Sequence, residues 1–201
     1  MITTGSLFSG IGGFEVAASW YGIKCLWQSE IEPWAVELLK ARFPEAKQLG
    51  DICGINGAEI PPVDIIAFGS PCQDMSVAGA RKGMKHVCPE CGAEFDIQDD
   101  IDVCPVCGAE IEKTRSGLFM EAIRIIREMR RATNGIYPNF IIWENVPGAL
   151  TSNRGMDFRA VLEEITETKI PMPASGRWAN AGVVRGGIAD VAWRVLDAQY
   201  W

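Results

Sequence analysis

Short runs of consecutive apolar residues alternate along this chain with stretches in which apolar residues recur every three or four positions. The runs near Thr3–Phe8, Ile23–Gln28, Val63–Phe68 and Phe140–Trp143 predict strands, the last two apolar enough to be covered on both faces. Between the first pair, Phe14, Val16, Ala17 and Trp20 mark a helix that starts near Gly13. Pro33 is well placed to open a second helix, which is expected to bury Trp34, Val36, Leu38 and Leu39 and to stop before Pro44. A short strand then leads to Gly50-Asp51-Ile52. Further on, Leu118, Phe119, Ala122, Ile123, Ile126 and Met129 line one face of a helix, with Arg124, Arg127, Arg130 and Arg131 on the other, which a solvated basic face explains adequately. A helix is expected around Phe158–Ile165 and a last strand at Val191–Ala198. The segment Lys169–Asp190, rich in Gly, Pro and Ala, reads as loop.

Strands alternating with helices predict an α/β fold with a parallel sheet built by right-handed crossovers. At 201 residues the chain suits one domain with a small appendage. It has no run of 18 apolar residues and no basic, then apolar, N-terminal leader, so no membrane partner is expected and the cytoplasm is the expected location.

In such a sheet, ligands collect beyond the carboxyl ends of the strands. Three features fall there. Leu7-Phe8-Ser9-Gly10-Ile11-Gly12-Gly13 follows the first strand, and its glycines would let a backbone approach a cofactor closely; a tight turn with no ligand explains it equally well. Glu30 ends the second strand, either as a ribose-binding carboxylate or as an acid at a helix start. Cys72, in Gly69-Ser70-Pro71-Cys72-Gln73, follows the third, either as a nucleophile or as a small buried hydrophobe. Glu144 follows Phe140–Trp143 and precedes Asn145-Val146-Pro147. At the depth expected there an unpaired carboxylate would be costly, so a ligand or internal partner is expected, with a helix or turn cap as the alternative.

Together and in this order, these pieces resemble the DNA cytosine-5 methyltransferase family. The resemblance implies a Rossmann-like, S-adenosylmethionine-dependent methyltransferase fold. It places Phe8, Gly10, Ile11, Gly12, Gly13, Glu30, Ile31, Asp51, Ile52 and Pro71 around S-adenosylmethionine. Ile31 stands where family members often carry an aromatic, so apolar contact would replace adenine stacking. The resemblance makes Cys72 the nucleophile towards C6 of cytosine and Glu144 the group that contacts N3 and the exocyclic amine. It implies double-stranded DNA as partner, with the target base rotated out of the duplex, and a place in DNA methylation or restriction-modification.

Four of the seven cysteines form Cys88-Pro89-Glu90-Cys91 and Cys104-Pro105-Val106-Cys107, each followed by Gly-Ala-Glu. Paired Cys-x-x-Cys knuckles predict a structural zinc ribbon, with an iron–sulfur cluster or a redox pair as alternatives. Cys25 and Cys53 read as inert core thiols, and the whole set reads as reduced. The ribbon, residues 87–113, interrupts the domain 1–201 where family members carry a loop that closes over DNA. The net charge of −7 is unevenly spread. Residues 1–70 hold 4 basic and 8 acidic groups, 71–114 hold 4 and 9, and 115–201 hold 11 and 9. Cys88–Glu112 holds 8 acidic residues and no Lys or Arg, so the ribbon is expected to repel phosphates and to act as a spacer or a protein-binding surface. Arg81, Lys82 and Lys85 are better phosphate candidates, and His86 is expected in the loop rather than on the metal.

The resemblance stops at Trp201, before a Gln-x-Arg-x-Arg block, a target-recognition region and a closing helix. The fold is therefore expected to be incomplete at its C-terminus, with an open sheet edge near Val191–Ala198. A second polypeptide supplying those blocks is an expected partner, and the chain alone is expected to be inactive. An RNA cytosine-5 methyltransferase, or a non-catalytic fragment that binds S-adenosylmethionine or protein, are the alternative functions.

Overall fold

The computed structural model describes residues 1–70, 85–88, 90–96, 103–109, 115–197 and 199. It divides into two compact units, Met1–Pro71 with Leu118–Asn145, and Cys72–Gly117 with Val146–Trp201. The elements of the first unit are β1 (Thr3–Leu7), α1 (Gly13–Trp20), β2 (Lys24–Ser29), α2 (Pro33–Arg42), β3 (Lys47–Gln48), β4 (Ile65–Phe68), most of α3 (Arg115–Ala132), and β7 (Phe140–Trp143). Its five strands run in the order β3-β2-β1-β4-β7, and every pairing is parallel. The sheet is therefore the one the apolar runs predict except at Val191–Ala198, whose strand lies in another sheet, so the edge expected there is corrected. Strand order reverses between β1 and β4, the switch point at which a doubly wound sheet opens a crevice.

Leu7, Trp27, Leu39, Val63, Ile66 and Phe68 are fully buried, and α3 adds Ala122, Ile125, Ile126 and Met129. Burying each large side chain contributes about 1.5–3 kcal/mol, so this cluster is the main source of stability for the unit. Phe119 continues it between Phe68 and Trp143, with ring centroids 6.1 and 5.5 Å away. Three expectations are corrected. Trp34 is 63% exposed, and α2 buries Ala35 in addition to the expected Leu39. Arg124 is no solvated cation: it pairs with Glu121 and Glu128 and donates to the carbonyls of Ile55 (2.8 Å) and Ile52 (3.3 Å). Cys53 is exposed, whereas burial, and then the Glu15 carboxylate, push the Cys25 thiol up to about 12.

The second unit contains β5 (Lys85–Val87) paired antiparallel with β6 (Glu94–Asp96), then α4 (Met156–Thr166), and the hairpin β8 (Ala181–Val184) with β9 (Val191–Arg194). Residues 181–184 are thus a strand where loop is expected. The last strand belongs to this two-stranded sheet, and β7 is an edge of the five-stranded one. Composition hides β8 because its Gly182 lies against the Trp193 indole, where a Cβ would come within 2.2 Å of the ring. Trp193, Trp178 and Phe158 then pack edge to face, with centroids 5.3–5.8 Å apart. No described helix is long and apolar enough to cross a membrane.

Asp64 ties together the starts of three strands. Its Oδ2 accepts from the Thr3 amide and hydroxyl, both at 2.9 Å, and its carbonyl accepts from Asn139 and Phe140. The Thr3 amide, then its hydroxyl, hold the carboxyl below its ordinary 3.8. A value depressed by folding stabilises the protein above the unfolded-state pKa, and that contribution is lost as pH falls through the folded-state value. Asp64→Asn is therefore expected to lower Tm at neutral pH. The difference from wild type should shrink as pH falls from the unfolded-state value through the lowered folded-state one, as read by melting curves across pH.

Candidate active site

The chemically suggestive groups of the first unit sit on loops leaving the carboxyl ends of its strands. Beyond β1 the chain bends sharply. Phe8 (φ 56°), Gly10 (φ 54°) and Gly12 (φ 84°) all occupy the left-handed region. A non-glycine residue there carries strain of order 1–3 kcal/mol, a feature that gathers at ligand sites. Gly12 must be glycine for a second reason, since a Cβ would meet the Phe43 ring at 2.7 Å. Gly10 and Gly13 instead face open space, with no atom within 4 Å of where a Cβ would stand. The turn is held by Ser9 N–H to Ser29 O (3.0 Å), Gly12 N–H to Ser9 O (2.9 Å) and Arg42 to Ile11 O (3.1 Å).

Glu30 does two jobs at once. Its Oε2 accepts from Gly10 N–H at 2.7 Å, which fixes the glycine turn. Its Oε1 accepts from Ile31 N–H (2.8 Å) and Glu32 N–H (3.0 Å), which fixes the entry to α2. A carboxylate has about four acceptor positions, so one remains for a ligand hydroxyl. Ile11 and Ile31 are exposed beside these groups, at 55% and 66%. Asp51 is exposed and caps the short turn Ile52–Gly54 by accepting from Cys53 N–H at 3.0 Å. The Ile52 side chain is buried in the core, so only its backbone could meet a ligand.

Glu144 emerges from β7 with its N–H on Phe68 O at 2.9 Å, continuing the β4–β7 register. It is exposed, which corrects the expectation of a carboxylate deep enough to demand a partner; β7 is an edge strand and ends in solvent. Its Oε2 lies 3.0 Å from where a Cβ on Gly69 would stand. Trp143 Nε1 donates to Ser70 Oγ at 3.1 Å. The carboxylate is therefore seated against the segment that precedes Pro71 and Cys72, which themselves lie outside the described residues, as do Arg81 and Lys82.

In the second unit the Sγ atoms of Cys88, Cys91, Cys104 and Cys107 all lie within 4.8 Å of one another. Cys88–Cys107 and Cys91–Cys104 are 3.4 and 3.6 Å apart, too far for a disulfide. A tetrahedral ion with metal–sulfur bonds near 2.3 Å requires sulfur–sulfur edges of about 3.8 Å, so the site fits one ion. It leaves too little room for the bridging sulfides of a cluster. The two knuckles repeat one backbone pattern, with Cys88 N–H to Ala93 O and Gly92 N–H to Cys88 O, and Cys104 N–H to Ala109 O and Gly108 N–H to Cys104 O. Backbone N–H donation, first from Cys91, draws the Cys88 thiol down to about 6, whereas the Cys107 thiol beside it is pushed up to about 12.

Sequence patterns missed one group. Glu15 of α1 is 1% exposed, and its Oε1 accepts from Ser6 Oγ and from Gln28 Nε2 (2.9 Å). The signal available was the polarity of Thr3-Thr4-Gly5-Ser6 in what became a central strand.

With this geometry in view, comparison with known proteins is decisive. The model of the C-5 cytosine-specific DNA methylase family matches residues 2–88 and 108–169. The chain belongs to that family. The break in the match, 89–107, falls on the cysteine knuckles. An orphan methyltransferase of Bacillus phage SPbeta is 34% identical over 79% of this chain and 36% of its own length. A type II methyltransferase of Neisseria lactamica is 30% identical over 96% of the chain and 36% of its own. A protein of Escherichia phage P1 named a DNA N-6-adenine-methyltransferase is 28% identical over 98% of the chain and 26% of its own length. The chain thus spans about a quarter to two-fifths of the family relatives it matches. Among solved structures, a DNA modification methyltransferase encoded within an Escherichia coli prophage superposes with a TM-score of 0.54 at 19% identity. It covers 92% of this chain and 40% of that one. Dnmt2 of S. pombe gives 0.52 at 19%, over 81% and 42%. The fold is thus the Rossmann-like one of S-adenosylmethionine-dependent methyltransferases.

The left-handed backbone and the Phe43 contact make Gly12 intolerant of any side chain. Gly12→Ala is expected to lower stability by about 1–3 kcal/mol, measured as a drop in denaturation midpoint with an unchanged m-value.

Proposed function

We propose that this chain is the cofactor-binding and nucleophile-bearing part of an enzyme that methylates C5 of cytosine in DNA. The observation that carries the reading is the convergence, at one edge of one parallel sheet, of the Glu30-clamped glycine turn and of Glu144 seated against Gly69-Ser70, two residues before Cys72. Gly10 and Gly13, open above the turn, and the free acceptor position of Glu30 fit a nucleoside with ribose hydroxyls. S-adenosylmethionine, when bound there, supplies an electrophilic methyl group.

The residues of the chain supply the rest. C5 of cytosine is a poor nucleophile until C6 is saturated. Cys72 Sγ as thiolate forms a bond to C6 while Glu144 holds or delivers a proton at N3, so negative charge does not accumulate on the ring. C5 then carries the electron pair that accepts the methyl group. Loss of the C5 proton to solvent, return of the N3 proton to Glu144 and departure of the Cys72 thiolate from C6 restore the aromatic ring. The phage P1 relative is named for adenine, but this chain matches about a quarter of it. Where amino-methylating enzymes carry Asp/Asn-Pro-Pro-aromatic, it has Pro71-Cys72-Gln73, which favours cytosine C5. We assign the four knuckle cysteines to one structural zinc ion, in an insertion spanning 87–113 whose acidic residues keep it off the DNA phosphates.

Calorimetry is expected to detect S-adenosylmethionine binding that Glu30→Ala weakens about tenfold or more, since both the turn and the ribose lose an acceptor. In the enzyme of which this chain is part, a duplex carrying 5-fluorocytosine should be trapped covalently in the presence of S-adenosylmethionine, and not when Cys72 is replaced by Ser. A folded wild-type chain that binds no cofactor would overturn this reading.

Elemental analysis should find one zinc per chain, lost in Cys91→Ser with Cys107→Ser. Chelation should then unfold the insertion and leave the melting of the first unit in place. Iron in place of zinc, or a single transition in which the first unit melts on chelation, would contradict the assignment.

A further inference from the structure

Glu15 is the only buried carboxyl group among the described residues, and no step of the proposed reaction uses it. It stands at the centre of a buried polar chain. On one side its Oε1 accepts from Ser6 Oγ, which lies 2.5 Å from Ser9 Oγ. Ser9 is the residue whose N–H and carbonyl hold the glycine turn to Ser29 and Gly12. On the other side Oε1 accepts from Gln28 Nε2, and Gln28 Oε1 accepts from Gln48 Nε2 at 2.7 Å. Gln28 lies two residues before Glu30, and Gln48 three before Asp51. One carboxyl group is thus coupled to all three loops of the candidate cofactor site.

A position needed only for packing would hold this place more cheaply with an apolar side chain. Glu15 Oε2 has no partner among the described residues, and an unpaired buried polar oxygen destabilises the fold. Replacing a buried hydrogen-bonded set as a whole by apolar groups of the same shape is often nearly neutral, so stability alone does not account for Glu15. Its hydrogen bonds fix direction instead. As an acceptor it obliges Ser6 Oγ and Gln28 Nε2 to point inwards, which orients Gln28 Oε1 towards Gln48 and leaves the Ser6–Ser9 pair one arrangement.

We propose that Glu15 is a positioning residue for the cofactor turn: it sets the geometry of Phe8–Gly13 through Ser6 and Ser9, and of the β2 and β3 exits through Gln28 and Gln48. This rests on the reading of that turn as the S-adenosylmethionine site. Glu15→Gln keeps an acceptor for Ser6 and Gln28 and should bind S-adenosylmethionine within about twofold of wild type. Glu15→Met removes the acceptor and should bind about tenfold or more weakly. Ser6→Ala, which cuts only the branch to Ser9, should give an intermediate loss and serves where Glu15→Met does not fold.

A second readout needs no cofactor. In the unliganded chain, hydrogen exchange at the Ser9 and Gly12 amides should quicken about tenfold in Glu15→Met or Ser6→Ala, and remain at wild-type rates in Glu15→Gln. Exchange and affinity both unchanged in Glu15→Met and Ser6→Ala would overturn the proposal. Exchange that quickens in a chain that binds no S-adenosylmethionine would uphold the positioning role and overturn the cofactor reading instead. Loss of affinity equal in Glu15→Gln and Glu15→Met would assign the effect to charge rather than to the acceptor, and would also overturn the proposal.

Discussion

The parallel pairing of β1 with β2 on one side and β4 on the other is the constraint on which the first unit depends. It brings the carboxyl ends of strands that are distant in sequence to one edge, because every strand in the sheet points the same way. Leu7 pairs with Ser29 and with Phe68, and Phe68 with Trp143. Each of those four residues is therefore within two positions of Phe8, Glu30, Gly69-Ser70 or Glu144. A slip of one register step on any strand would move its functional residue along that edge and turn its side chains to the opposite face.

Carboxylates do most of the organising at that edge, and their surroundings divide the labour. Glu30 accepts three backbone N–H groups and so joins two loops without leaving the surface. Glu144 stays exposed beside Gly69. Glu15 is sealed in the interior, where hydrogen bonds fix geometry more firmly than in water.

The cysteine knuckles follow a different economy. Two turns of identical backbone pattern bring four thiols together with little apolar core beneath them, beyond the buried sulfurs of Cys88 and Cys104 and neighbours such as Phe95. A segment this short and acidic buries too little apolar surface to offset its chain entropy unaided, and one metal ion can make up the difference. The match to the family model breaks at this segment, which sets it apart from the sheet to which the function is assigned.

What the sequence determined by itself was local. Apolar runs specified the strands, the spacing of glycines specified the turn, and Cys-x-x-Cys spacing specified the four knuckle thiols, because each depends on residues within a few positions of one another. Tertiary structure decided the rest. Glu15 on α1 reads as a surface acid until β1 and β2 cover it, and Trp34 reads as core until α2 turns Ala35 and Leu39 inward. Arg124 reads as a solvated cation until the Ile52–Ile55 carbonyls meet it. Strand β8 is invisible in its composition, since Gly182 becomes favourable there only once the Trp193 indole lies across it. In each case the deciding partner lies far away in sequence or on another element, and burial, unlike periodicity, is a property of the pair.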